Sequence, residues 1–114
     1  MSYSKITKDA HDTGWTESTL ITDNFSSGEI KYKKIGNVVF LTVYSASTTK
    51  TGMVTMYTMP AGYRPAKRWT VPVSYPHLSG DSYINIDIDG HVQLINQTGG
   101  AVTNVYFTTA YPVT

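Results

Sequence analysis

Alternation of apolar and polar residues organises this chain. In Glu29-Ile30-Lys31-Tyr32-Lys33-Lys34-Ile35, Ile30 and Tyr32 alternate with lysines; Gly36-Asn37 follows, then Val38-Val39-Phe40-Leu41-Thr42-Val43-Tyr44. A two-residue Gly-Asn loop favours a type II′ turn, because glycine takes the positive φ of the first position. It predicts a hairpin pairing Ile35 with Val38, Tyr32 with Leu41 and Ile30 with Val43. Ile30, Tyr32, Val39, Leu41 and Val43 then share one face, and Lys31, Lys33, Phe40, Thr42 and Tyr44 the other. A second hairpin is predicted over Tyr83 to Ile95. With Ile88-Asp89-Gly90 as a three-residue loop and Gly90 left-handed, Ile86 faces Val92, Ile84 faces Leu94 and Asp87 faces His91.

The remaining segments carry weaker patterns. A strand is expected over Thr19 to Ile21, followed by a turn at Phe25-Ser26-Ser27-Gly28, and Ser45 to Gly52 reads as a polar loop. Met53 to Met59 reads as a strand with two competing inward phases, Val54/Met56 and Met53/Tyr57/Met59. Pro60-Ala61-Gly62-Tyr63-Arg64-Pro65 is a turn, since two prolines lack ladder donors and Gly62 tolerates a left-handed conformation. From Arg68 to Tyr75, Trp69, Val71, Val73 and Tyr75 fall in one phase, while Pro72 demotes the run to an edge or bulged strand. Thr98-Gly99-Gly100 turns into a final strand pair, Val102 to Phe107 and Thr109 to Val113. Residues 1–11 are polar, without apolar periodicity, and read as a tail or neck remnant; the domain is expected to span 12–114.

Composition points the same way. Seventeen Thr, ten Val and nine Tyr against four Leu and six Ala suit pleated, half-buried surfaces better than helices. Many short strands at regular spacing imply an all-β fold, a compact antiparallel β-sandwich or barrel. With no cysteine there is no disulfide, thiolate metal site or cysteine nucleophile, and no apolar run reaches the ~20 residues of a membrane helix. The formal net charge of +1 argues against a general nucleic-acid binder. The charge is nonetheless uneven: residues 31–68 hold seven bases and no acid, and the segments on either side are acidic. Such segregation suits a subunit interface or an anionic ligand better than nucleic acid.

Candidate chemistry is sparse. Asn85-Ile86-Asp87-Ile88-Asp89-Gly90 matches the first half of a calcium loop, but Asn96 stands where a bidentate Glu is needed. Asp87 and Asp89 have no fixed separation as a glycosidase pair, and Asp89 is explained by its turn. His11, His77 and His91 lack zinc spacing, and no Gly-x-Ser-x-Gly or phosphate loop occurs. No metal, cofactor or enzyme activity is therefore expected. The region from Arg64 to Tyr83 concentrates what sugar binding needs, an aromatic platform and short hydrogen-bonding groups: Trp69, Tyr75, His77, Asp81, Tyr83 and Arg64. Trp69 and Tyr75 equally continue the core phase of Val71 and Val73.

Four pieces in order, Gly14-Trp15, Ile30 to Val39, Met59-Pro60-Ala61-Gly62-Tyr63-Arg64-Pro65 and Ile86 to Val92, carry a family likeness over residues 12–114. The chain resembles the C-terminal head domains of tail or baseplate receptor-binding proteins from phages of Gram-positive bacteria, of the lactococcal and streptococcal siphophage type. The resemblance implies a homotrimeric β head at the virion's tail tip or baseplate, made in the host cytoplasm. It implies a cell-surface saccharide as ligand, a host cell-wall polysaccharide or teichoic acid, and attachment to other tail proteins through the N-terminal side. Related β-domains serve as structural trimerisation or capping modules of tail fibres and tail-associated hydrolases, which is the alternative role. The family's saccharide contacts have no fixed motif, so no binding residue is carried over from it.

Overall fold

Among the described residues, eight strands form two antiparallel sheets whose apolar faces meet. The structure, a computed structural model, describes residues 11–73 and 82–114. The strands are β1 (Thr16–Thr19), β2 (Ser27–Ile35), β3 (Val38–Thr48), β4 (Gly52–Thr58), β5 (Trp69–Pro72), β6 (Tyr83–Ile86), β7 (His91–Asn96) and β8 (Val102–Pro112). One sheet runs β1-β2-β3-β8 and the other β4-β7-β6-β5. No ladder joins the edges of the two sheets among the described residues, so the architecture is an open sandwich and not a closed barrel.

The hairpin β2–β3 has the register that its alternation and turn predict, with Ile35 opposite Val38, Tyr32 opposite Leu41 and Ile30 opposite Val43. Gly36 sits at φ 61° while Asn37 keeps a negative φ, as a II′ turn requires. In β6–β7, Ile86 faces Val92 and Ile84 faces Leu94 across a loop with Gly90 at φ 94°. The core is built from Ile30, Tyr32, Val39, Leu41, Val43, Val105, Phe107 and Tyr111 of the first sheet and Val54, Met56, Val71, Ile84, Ile86, Val92 and Leu94 of the second.

Elsewhere the pattern misleads, and bulges are the reason. Ser45, expected in a loop, takes φ 59°, a bulge that lets β3 continue and bury Ala46 and Thr48. In β4 the register slips between Thr55 and Tyr57, leaving Met56 as an extra residue. Both competing phases are therefore used: Val54 and Met56 point inward before the slip and Met59 after it, while Met53 is exposed. The expected final pair of strands is a single strand, β8; no turn residue separates Phe107 from Thr109, and the irregularity falls instead at Asn104, with φ 53°. The first strand lies at Thr16–Thr19 and not at Thr19 to Ile21, because residues 20–25 leave the sheet to cover β4. β5 is an edge strand, where Pro72 needs no ladder partner on its open side.

Candidate functional site

The sandwich has two lateral seams, and they are closed very differently. At one, residues 20–25 lace the first sheet to the edge of β4. Ile21 N donates to Met56 O (2.9 Å) and Asn24 Nδ2 to Thr55 O (2.9 Å), at the bulge that frees those carbonyls. Thr48 Oγ1 donates to Asn24 O and Lys50 Nζ to Asn24 Oδ1, fixing the loop from below.

At the other seam β5 runs antiparallel to β8 without a ladder. Hydrogen bonds that span it include Ala66 N to Pro112 O at 3.1 Å and the Trp69 indole N–H to Thr109 Oγ1 at 2.9 Å. On either side of the indole contact lies a cleft. One, of about 300 Å³, is lined by Ala66, Lys67, Trp69, Pro112 and Thr114. The other, of about 270 Å³, is lined by Val71, Pro72, Tyr106, Phe107 and Thr108. Trp69 shares the inward phase of Val71 but sits at the end of a short edge strand, and it remains 36% exposed where Val71 is 8%. Both readings of Trp69 thus meet in one residue, a core phase with an open flank. The seam groove offers apolar ring surfaces beside threonine hydroxyls and one ammonium, the combination that binds a polyhydroxylated ring.

Of the residues singled out in the sequence, Trp69 lies in this groove. Tyr83 stands on β6 opposite Pro72 and is half-buried. Arg64 turns away from the groove: its Nε donates to Met59 O (2.9 Å) and it packs against Gly90, bracing the 60–65 turn. That turn contains Gly62 at φ 91°, with Tyr63 N donating to Pro60 O. Tyr75, His77 and Asp81 lie outside the described residues. Tyr106, Thr108, Thr109 and Pro112 were missed because β8 is distant in sequence; the available signal was that Pro72 and Pro112 each mark a strand edge, and two edges must lie somewhere opposite each other.

The basic segment disperses when folded. The ammonium groups of Lys31 and Lys33 lie 4.8 and 5.0 Å from the Trp15 ring centre, and Lys33 also pairs with Asp12 at 3.3 Å. The Gly14 N–H holds the Asp12 carboxyl below the ordinary aspartate value. Lys34 donates to Gly62 O (2.8 Å) and lies over Tyr63. Arg68 Nε meets Asp87 Oδ1 at 2.6 Å, and that hydrogen bond pushes the guanidinium pKa up. Asp87 therefore pairs with Arg68, and the expected side-chain pair of Asp87 with His91 is replaced by His91 Nδ1 on Asp89 Oδ2 at 3.0 Å. The backbone N–H of His91 lowers the Asp89 pKa. The oxygen of Asn85 accepts from Thr70, and no group of three metal-ligating side chains occurs among the described residues. Of the seven cations between 31 and 68, Lys67 alone has no partner among the described residues, and it lines the groove.

No protein-family model and no curated protein sequence matches the chain.

Proposed function

We propose that this chain is a saccharide-binding head domain of a phage tail or baseplate receptor-binding protein. It acts as a homotrimer that adheres to the cell-wall polysaccharide or teichoic acid of a Gram-positive host. The observation that supports this reading best is the seam groove, where an open indole face, an ammonium without a partner among the described residues and threonine hydroxyls lie side by side. The apolar C–H face of a sugar stacks on the electron-rich face of Trp69, its hydroxyls exchange hydrogen bonds with Thr114, and Lys67 meets an anionic substituent. The function is adhesion without turnover. Each site binds weakly, and several heads on one virion raise the overall strength by roughly 10²–10⁴ through effective concentration alone. Attachment to the remainder of the tail is through the N-terminal side.

The test is retention of the full chain on purified Gram-positive cell walls, with Trp69→Ala and Lys67→Ala alongside. Retention that falls at least tenfold for Trp69→Ala, with the β circular dichroism spectrum unchanged, supports the reading. Wild-type retention unaffected by both substitutions refutes the site. A wild-type chain that binds no cell wall refutes the adhesion role and leaves the structural capping role.

A further inference from the structure

We infer that Trp69 divides the seam groove into two subsites that hold the first and third sugars of one linear oligosaccharide. Tyr106 is the stacking platform of the second subsite, and Thr109 is a positioning residue for the shared wall. This rests on the saccharide reading above and extends it from one ring to an extended chain.

The argument starts from the order of the lining residues. Along β5 and the residues leading into it, Ala66, Lys67 and Trp69 line the first cleft and Val71 and Pro72 the second; along β8 and the residues after it, Pro112 and Thr114 line the first and Tyr106, Phe107 and Thr108 the second. The contact between Trp69 Nε1 and Thr109 Oγ1 falls between the two sets on both strands. The clefts are therefore consecutive stretches of one groove, parted by a single indole. From Thr109 to Tyr106 is three residues of strand, about 10 Å at the usual strand rise. By strand alternation the exposed Tyr106 ring lies on the other side of β8 from Thr109 and forms the outer rim of the second cleft, a separation of roughly two pyranose units along a glycan. Tyr106 is 56% exposed, as a platform must be.

The groove's edges also argue about what the occupant is. An extended peptide entering between two strand edges binds by main-chain hydrogen bonds. Pro72 and Pro112 each remove a backbone N–H from the facing strands, and Ala66 N already occupies Pro112 O. What the groove retains is side-chain chemistry: an indole, a phenol ring, two proline rings and two threonine hydroxyls with capacity to spare, Thr108 Oγ1 sharing one hydrogen bond with Thr42 Oγ1 and Thr114 Oγ1 accepting one from Asn37 Nδ2. A linear oligosaccharide, alternating apolar ring faces with hydroxyl edges, fits that inventory, and a peptide strand does not.

Because the chain has two tryptophans, Trp15→Phe leaves Trp69 as the sole indole emitter. This variant is titrated with partially hydrolysed Gram-positive cell-wall polysaccharides separated by size into mono-, di-, tri- and tetrasaccharides, and Trp69 emission is followed. Affinity is expected to rise at least tenfold from mono- to trisaccharide. Adding Tyr106→Ala removes that gain and leaves monosaccharide binding unchanged, whereas Tyr106→Phe preserves it. Thr109→Val weakens mono- and trisaccharide by the same factor, with an unchanged melting temperature. Binding without any gain in length, or a gain that survives Tyr106→Ala, overturns the two-subsite inference and leaves the saccharide reading standing. Equal affinities in wild type and Thr109→Val overturn the role of Thr109. Failure of every size fraction and every intact polysaccharide to bind overturns the saccharide reading, and this inference with it.

Discussion

Two left-handed glycines in this fold give opposite predictions for the same substitution. Gly90 closes the β6–β7 loop at φ +94°, and a Cβ there would lie 2.5 Å from Met59 O and 2.7 Å from Arg64 Nε. Those two atoms are bonded to each other, and Met59 N donates to Gly90 O at 2.8 Å, so the turn, the arginine and the 60–65 segment form one unit. Arg64 can swing aside, but the carbonyl belongs to the backbone and cannot. Gly90→Ala therefore carries about 1–2 kcal/mol for a left-handed alanine and about 1 kcal/mol for each of the two hydrogen bonds it disrupts. The expected loss is roughly 3–4 kcal/mol, a large share of the 5–15 kcal/mol typical of a domain. Gly36 is left-handed too, at φ +61°, but nothing lies within 4 Å of its missing Cβ. Gly36→Ala should lose only the conformational term, about 1 kcal/mol. In urea, with a slope of about 1–3 kcal/mol per molar, the two midpoints should differ by about 1–2 M at unchanged slope. Equal midpoints would refute the claim that the Met59 carbonyl, and not the turn geometry, makes Gly90 irreplaceable.

Three further outcomes are expected. Asn96 is buried and donates to Lys50 O and Gly100 O while accepting from Thr98, so Asn96→Ala should cost about 2–4 kcal/mol and lower the melting temperature by about 10 °C or more; a shift of a degree or two would refute its role as the pin of that loop. Burial raises the Tyr111 and Tyr32 phenols above the ordinary value of 10.0, the latter with help from its hydrogen bond to Tyr57. The folded state thus holds these protons more tightly than the unfolded chain. Their contribution is complete below that value and fades as pH rises beyond it, so in an alkaline titration their phenolate absorbance should appear only together with unfolding. Trp15→Ala removes two exposed ammonium–ring contacts and should cost no more than about 1 kcal/mol by urea denaturation, leaving cell-wall retention unchanged.

Where turn chemistry and alternation agreed, the register was readable to the residue. Gly36-Asn37 and Ile88-Asp89-Gly90 each forced one pairing, and the apolar positions on both strands then fell on one face. Where a bulge intervened, alternation changed phase without any marker: Met56 is an ordinary strand residue by type, and only its pairing with β7 shows that it is extra. Ser45 hid its bulge in the same way, which shortened β3 in the reading, while the break expected between Phe107 and Thr109 falls where β8 pairs with β3 in unbroken register. The groove was half legible. Trp69 announced itself as an aromatic in a proline-containing edge run. Its partners came from β8, and which edge of one sheet faces which edge of the other is decided by how the sheets pack, a property no local pattern encodes. Arg64 looked like a ligand-binding group because charge is normally solvated; the Met59 carbonyl that engages it is backbone and has no signature in sequence.

The pairing of β3 with β8 sets the order of events when the chain is made. Val38 lies opposite Pro112 and Val39 opposite Tyr111, partners separated by about 70 residues, so this contact closes a long loop at high entropic cost. The β2–β3 hairpin is local and forms early, but its outer edge waits for β8. At about 5–20 residues per second that wait lasts several seconds on the ribosome. During it, the long edge of β3 is bare, and the cavity that Val105, Phe107 and Tyr111 later fill is open. Neighbouring nascent copies on one message present the same bare edge to one another, so the interval before β8 arrives is when mispairing between chains competes with folding.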